Sequence, residues 1–306
     1  MDFDNMPQGL SAFFAIVGRP NVGKSSLLNR LIGQKIAIVS KKPQTTRTRI
    51  MGVLTDEECQ LVFLDTPGLL KPRNSLGDYM VKSVVSAVEG VDACLLVAEA
   101  GTGISKADEE LIGRFRAGHI PAILAINKID LLPDKTKLME QIAAFSALYD
   151  FRAVVPVSAK TGSGMKALLG ELKELAEPGG YFFSEDMLTD QPEQVIASET
   201  VREKVLRLLE KEVPHGVAAV TERMVEQGDL LEIDVTIYCE RQNHKGILIG
   251  KGGAMLKRIG SDAREDLERF FGCKVNLQLW VKVKEDWRQR PQTLQSLGFS
   301  EKNLEL

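Results

Sequence analysis

Gly18-Arg19-Pro20-Asn21-Val22-Gly23-Lys24-Ser25 constrains what this chain can fold into more than any other stretch. It follows a short apolar run at residues 12–17 and opens a helical pattern at residues 24–32. A strand–turn–helix setting of that kind is what a phosphate-binding loop requires. Gly18 and Gly23 let the backbone bend so that successive N–H groups point inward at phosphate oxygens. The helix N-terminus near Lys24 adds a partial positive charge. Lys24 is suited to reach the β- and γ-phosphates, and the Ser25 hydroxyl to ligate Mg²⁺. Asn21, Val22 and Ser26 belong to the same loop.

The pattern around the loop fits one fold class. Apolar runs at 12–17, 49–54, 60–64, 93–98, 122–126 and 154–157 read as strands, most of them followed by a helical pattern. Strands alternating with helices give a mostly parallel sheet flanked by helices, an α/β P-loop NTPase fold. The polar connection at 55–58 makes one hairpin, which adds an antiparallel edge. A helix at 165–177 closes the unit. The expected organisation is an N-terminal extension at 1–9, a nucleotide-binding domain at 10–177 and a linker at 178–197, where Pro178-Gly179-Gly180 ends the pattern. A second domain at 198–290 and a tail at 291–306 follow.

Two further stretches address the phosphates. Asp65 ends a strand, so its carboxylate lies at the sheet's C-terminal edge near the same ligand. In Asp65-Thr66-Pro67-Gly68, Gly68 can bring its N–H to a γ-phosphate while Asp65 holds Mg²⁺ through water. Residues 41–48 and 69–79 are expected to be mobile, ordering with the γ-phosphate and relaxing on its hydrolysis.

Two stretches address the base. Guanine offers two adjacent donors, N1–H and the 2-amino group, and the Asp130 carboxylate in Asn127-Lys128-Ile129-Asp130 can accept both. Adenine has no such pair. Asn127 can tie the base loop to the phosphate loop, and the Lys128 stem can cover the ring. In Ser158-Ala159-Lys160, the Ala159 N–H can donate to guanine O6. Each short motif alone is an ordinary turn; in this order, at the ends of successive strands, they select GTP and GDP.

The second domain follows the order helix–strand–strand–helix–helix–strand. Ile249-Gly250-Lys251-Gly252-Gly253 joins its last two helices. With no side chains at Gly250 and Gly253, a phosphodiester backbone can approach, which is the logic by which an α+β KH domain clamps single-stranded RNA. The order matches the type II KH fold. Lys245, Lys257, Arg258 and Arg264 are candidate phosphate contacts. Residues 241–290 hold 12 Lys+Arg against 6 Asp+Glu, a +6 block in a chain of net charge −3, which suits a polyanionic partner. Trp280 reads as core rather than as a base-stacking platform, and Arg223 and Met224 as edge charge and strand packing.

Composition narrows the setting. No apolar run approaches the ~20 residues of a membrane-spanning helix. The acidic start Met1-Asp2-Phe3-Asp4-Asn5 does not read as a secretory signal. Cys59, Cys94, Cys239 and Cys273 lack metal-ligand spacing, so free thiols in a reducing cytosol are expected. His119, His215 and His244 do not cluster.

Residues 10–177 resemble the translation-factor-related branch of small GTPases. Within it they resemble the Era family, through the phosphate loop continued by Ser26-Leu27-Leu28-Asn29, through Gln44-Thr45-Thr46-Arg47, and through the second domain. The resemblance favours Thr46 over Thr45 as a Mg²⁺ ligand. It implies an RNA partner in the 3′ region of 16S ribosomal RNA, a role in assembling the 30S subunit, and action as a cytoplasmic monomer with peripheral contact at the cytoplasmic face of the membrane. Leu69 stands where Ras-type enzymes place a water-orienting Gln. Leu69 cannot hydrogen-bond through its side chain, so slow intrinsic GTP hydrolysis, or water ordered by another route, is expected. For GTPases with an apolar residue there, the resemblance implies a K⁺ ion held partly by the phosphate-loop Asn, here Asn21. The rival readings are a constitutive RNA-binding protein with a structural nucleotide, and a P-loop kinase or ATPase, against which Asp130 argues.

Overall fold

The computed structural model describes residues 8–69 and 71–300. The acidic start and residues 301–306 of the tail lie outside them. The first domain is built on a sheet in the order β2-β3-β1-β4-β5-β6, with a seventh strand beside β1. Its strands are β1 (Gln8–Val17), β2 (Ile50–Thr55), β3 (Cys59–Asp65), β4 (Ala93–Glu99), β5 (Ala122–Asn127), β6 (Ala153–Pro156) and β7 (Glu177–Gly180). All neighbours on the main path are parallel except β2, which pairs antiparallel with β3 at one edge.

Because successive strand residues point to opposite faces, β1 feeds two cores. Phe14 and Ile16 join one apolar cluster with Leu27, Leu28 and Leu31 of α1 (Lys24–Ile32) and Leu168 and Leu172 of α5 (Met165–Lys173). Ala15 and Val17 join the other, with residues from α2 (Ser75–Glu89), α3 (Lys106–Gly118) and α4 (Lys135–Ser146). Burial on both faces explains why these strands read as continuous apolar runs.

Several expected boundaries move. The linker expected at 178–197 is partly structured: β7 pairs antiparallel with Gln8–Ser11 of β1, so residues 8 and 9, expected in the extension, are strand. β4 reaches only Phe14–Val17 of β1, leaving that side of the strand's first residues open for β7. The helix expected at 165–177 stops at Lys173.

The second domain has the order α6 (Glu193–Leu208), β8 (Val217–Gln227), β9 (Leu230–Cys239), α7 (Gln242–Ile249), α8 (Ala254–Phe271), β10 (Lys274–Val283). Its sheet runs β10-β9-β8, with β9–β8 antiparallel and β10–β9 parallel. Val201 and Val205 of α6 and Ile259 and Leu267 of α8 pack on Ile233, Val235 and Ile237 of β9. Residues 193–197, expected in the linker, begin α6. In the expected tail, α9 (Pro291–Ser296) brings Leu294 against Trp287 and against Leu76 and Met80 of α2, an apolar cluster between the two domains.

Candidate functional site

The phosphate loop leaves β1 and enters α1 with two glycines that geometry requires. Gly18 has φ +145° and a Cβ there would lie 2.4 Å from the Val97 carbonyl oxygen; Gly23 has φ +101° and a Cβ would lie 2.3 Å from Asn127 Nδ2. Gly23 is the N-cap of α1 and offers no side-chain cap, so the first helical amides face the site with no side-chain cap from Gly23. Lys24 is buried and donates from Nζ to the carbonyls of Gly18 at 3.1 Å and Arg19 at 3.0 Å. Val22 is buried, and Asn21 is exposed in the left-handed region at φ 63°.

Asp65, at the end of β3, is fully buried. It accepts from Ser25 Oγ at 2.6 Å and Thr46 Oγ1 at 3.3 Å, and those two hydroxyls lie 2.8 Å apart. Asp65 Oδ1 is buried with no hydrogen-bond partner among the described residues. Two hydroxyls converging on a carboxylate with an unspent oxygen suit a hard divalent cation. Burial pushes the Lys24 ammonium down to about 8, with Asp65 offsetting part of that. Burial pushes the Asp65 carboxyl up to about 6, against the pull of Lys24 and hydrogen bonds from Ser25 and Thr46. A polyphosphate beside Lys24 and a cation beside Asp65 each favour the charged form.

Thr66 anchors the strand end by donating from Oγ1 to the Ile16 carbonyl at 2.9 Å, and Pro67 is buried beside it. Gly68 runs against the phosphate loop: a Cβ there would sit 2.6 Å from Pro20 N. The Leu69 N–H donates to the Gly18 carbonyl at 3.3 Å, and its side chain turns into the core.

At the base end, the buried Asn127 bridges three segments. Its Nδ2 donates to the Val22 carbonyl at 2.9 Å and its Oδ1 accepts from the Ala159 N–H at 3.0 Å. The expected tie between the base and phosphate loops is therefore present. The Ala159 N–H, expected to face guanine O6, takes part in this bridge. Ser158, fully buried, donates to Asp130 Oδ1 at 2.6 Å, which orients that exposed carboxylate. Lys128, at φ 69°, pairs with Glu99 at 2.8 Å, and Lys160 is exposed.

Lys24, Ser25, Thr46, Gly68, Asn127 and Asp130 line one cleft of about 910 Å³. Its wall also includes Leu206, Arg207 and Glu210, at the end of α6 in the second domain. Residues 41–48, expected to be a mobile loop, are docked there: Thr46 is 7% and Arg47 2% exposed. The other expected mobile segment is partly helix, since residues 75–79 start α2 with Leu76 and Tyr79 buried. The α6 contributions were missed in the sequence. The signal was the run Arg202-Glu203-Lys204 within an apolar helical pattern, three charges that the structure buries.

In the second domain, Ile249-Gly250-Lys251-Gly252-Gly253 turns from α7 into α8. Gly250, Gly252 and Gly253 all have positive φ, and a Cβ on Gly250 would meet Met255 Cβ at 2.8 Å. Gly253 caps α8 without a side chain. Lys251, Lys257, Arg258 and Arg264 are exposed, Lys245 and Ile249 half-buried. Trp280, expected in the core, is 42% exposed on β10. Its neighbour Val281 faces inward, and strand alternation puts 280 outside. Arg223 pairs with Glu232 at 2.8 Å and Met224 packs on the core edge.

A P-loop that selects guanine, joined to a type II KH domain, defines a GTPase with an RNA-binding module. Residues 13–128 match the family described as 50S ribosome-binding GTPase, and residues 212–288 match the KH domain family. The chain is 50% identical to GTPase Era of Ruminiclostridium cellulolyticum over 94% of its own length and 97% of that protein. A crystal structure of Aquifex aeolicus Era bound to GDP and aluminium fluoride superposes with TM-score 0.92 at 38% identity, covering 95% of this chain and 99% of that one. A second Era structure, in complex with MgGDPNP and nucleotides 1506–1542 of 16S ribosomal RNA, matches with the same TM-score, identity and coverage. The chain belongs to the Era family of GTPases.

Proposed function

We propose that GTP binding and hydrolysis by this GTPase set the engagement of its KH domain with the 3′ region of 16S ribosomal RNA, in the service of 30S subunit assembly. The observation that carries this reading is the shared helix: α6 belongs to the KH core through Val201 and Val205 and walls the nucleotide cleft through Leu206 and Arg207. A relative that matches 95% of this chain was crystallised with both MgGDPNP and a 16S fragment. Ser25 and Thr46 would hold Mg²⁺, with Asp65 behind them, and the ion would neutralise charge on the β- and γ-phosphate oxygens. Lys24 neutralises the β- and γ-phosphates, and Gly68 brings its N–H to the γ-phosphate. At the other end of the cleft Asp130 reads guanine.

With Leu69 turned into the core, no side chain at that position orients water. We assign to K⁺ beside Asn21 the transition-state charge that an arginine finger would otherwise supply. Turnover in K⁺ and Na⁺ buffers tests this; equal rates remove K⁺ from the mechanism. The protein acts as a cytoplasmic monomer that contacts the membrane only peripherally. Among the described residues, no helix is long and apolar enough to cross one.

Crosslinking the full chain to total cellular RNA with GDPNP or GDP bound tests the main reading. Contacts near the 3′ end of 16S RNA that map to residues 249–253 and depend on the nucleotide are expected. The same contacts with either nucleotide would make the KH domain a constitutive binder and overturn the switch.

A further inference from the structure

The segment that carries Thr46 is held by the KH domain. Four of its polar groups are taken up by α6 or by the chain that follows it. The Val39 N–H donates to Glu203 Oε1 at 2.8 Å. Lys42 Nζ reaches the carbonyls of Leu206, at 2.5 Å, and Leu209, at the C-terminal end of the helix where a cation is favoured. The Thr45 carbonyl accepts from Arg202 Nη2. Arg47 donates to the carbonyls of Val217 at 2.6 Å and His215 at 2.8 Å, and its guanidinium lies 5.6 Å from the Trp287 ring centroid. Thr46 is therefore flanked on both sides by residues anchored on the other domain.

The anchors are built to hold. Arg202 is 1% exposed and Arg47 is 2% exposed. Arg202 is fixed by Glu199, whose two oxygens accept from Nε at 2.7 Å and Nη2 at 2.5 Å. Its Nη2, shared with that carboxylate, is what reaches the Thr45 carbonyl. A buried guanidinium that loses a partner is expensive, so undocking this segment carries a cost.

We propose that Arg202 of the KH domain is a positioning residue for GTP: with Arg47 it fixes the backbone on either side of Thr46 and so keeps that hydroxyl on the cation site beside Ser25 and Asp65. This rests on the reading that Thr46 helps to hold the metal that bridges to the γ-phosphate. Ordering a loop of this length costs about 1–2 kcal/mol per residue of backbone entropy. Contacts with the KH domain offset part of that cost, which lowers what nucleotide binding must supply. The γ-phosphate gains from this and GDP does not, because only GTP engages Thr46 through the cation. By linkage, GTP stabilises KH docking by the same factor.

The experiment uses the full chain with Mg²⁺ and no RNA, and measures affinities for GDPNP and GDP. Arg202→Leu should weaken GDPNP about 10- to 100-fold, the scale of one lost charge-assisted hydrogen bond, and leave GDP within about twofold. Arg202→Lys, which keeps a donor, should recover part of the loss, and Arg47→Met should repeat the selective effect. Thr46→Ala serves as the reference and should lose the same preference. If Arg202→Leu and Arg47→Met retain the full GDPNP preference while Thr46→Ala loses it, the KH domain does not position Thr46 and the proposal fails. An equal loss of both nucleotides in both arginine variants also overturns it, since the effect is then general to the fold. Full preference in Thr46→Ala overturns the cation assignment itself, and the proposal with it.

Discussion

Asn127 donates from Nδ2 to the carbonyl of Val22 at 2.9 Å, across 105 residues of sequence. The same side chain accepts from the Ala159 N–H, so one amide joins the phosphate loop to both base-reading turns. Asn127→Ala leaves the buried Val22 carbonyl and the Ala159 N–H without these bonds, at about 1–3 kcal/mol for each group left unsatisfied. Affinity for GTP and GDP should fall together by about 10- to 100-fold. Nucleotide titration by calorimetry reads this; a loss confined to GTP would mean that Asn127 serves the phosphates alone.

Asp130 is exposed and oriented by Ser158 at 2.6 Å, so its carboxylate is free to accept a pair of donors. Asp130→Asn replaces one acceptor oxygen by a donor. Guanine then faces an NH₂ group with its own N–H, whereas xanthine offers a carbonyl that this group can satisfy. GTP affinity should drop about 100-fold and xanthosine triphosphate should bind better than it does to the native chain. Competition between the two nucleotides is the measurement. Unchanged preference for GTP would place the base elsewhere in the cleft.

Much of the nucleotide site was legible because it is local. Gly18, Gly23 and Lys24 owe their positions to a turn that eight consecutive residues specify, and Asp65 and Asn127 fall at strand ends that apolar runs announce. The KH element order was readable for the same reason. What failed depended on distant partners. Pro178-Gly179-Gly180 reads as a breaker, yet an edge strand tolerates both residues, and the vacant side of β1 supplies the pairing. Nothing local in the sequence shows what buries Arg202, Glu203 or Arg47; they are buried where the two domains meet. Trp280 differs for another reason: strand alternation from the inward Val275 and Val281 puts 280 on the outer face, whatever its apolar character.

Trp287 is fully buried, donates from Nε1 to the Gly216 carbonyl at 3.0 Å and stacks on Phe299 with ring centroids 5.9 Å apart. It also lies beneath Arg47 and beside Leu76 and Met80 of the GTPase domain. Trp287→Ala should cost about 3–5 kcal/mol, and because the cluster spans both domains, thermal unfolding should separate into two transitions. Trp287→Phe, which keeps a ring but not the N–H, should lose less. A single cooperative transition in the alanine variant, at the native midpoint, would show that this contact does not couple the domains.

Asp266 of α8 makes a second contact between the domains. Its carboxylate meets Lys204 of α6, Lys35 of the GTPase domain at 2.8 Å and Arg269 at 3.3 Å, with Glu203 bound to the same Lys35 at 2.6 Å. Burial alone pushes the Asp266 carboxyl up, but hydrogen bonds from Lys204 and Lys35 outweigh it and bring it from 3.8 to about 2. A folded-state value below the unfolded one means that the stabilisation is fully present above about pH 4 and is lost as pH falls through about 2. Asp266→Asn should therefore lower stability by about 1 kcal/mol at neutral pH, the upper end for a partly exposed pair. The gap to the native chain should narrow as pH falls below about 4. Urea denaturation of both proteins at several pH values provides the test, and Lys35→Met isolates the interdomain share. A gap of constant size from pH 7 to pH 3 would mean that the carboxylate's charge contributes nothing there, and that Asp266 acts through packing.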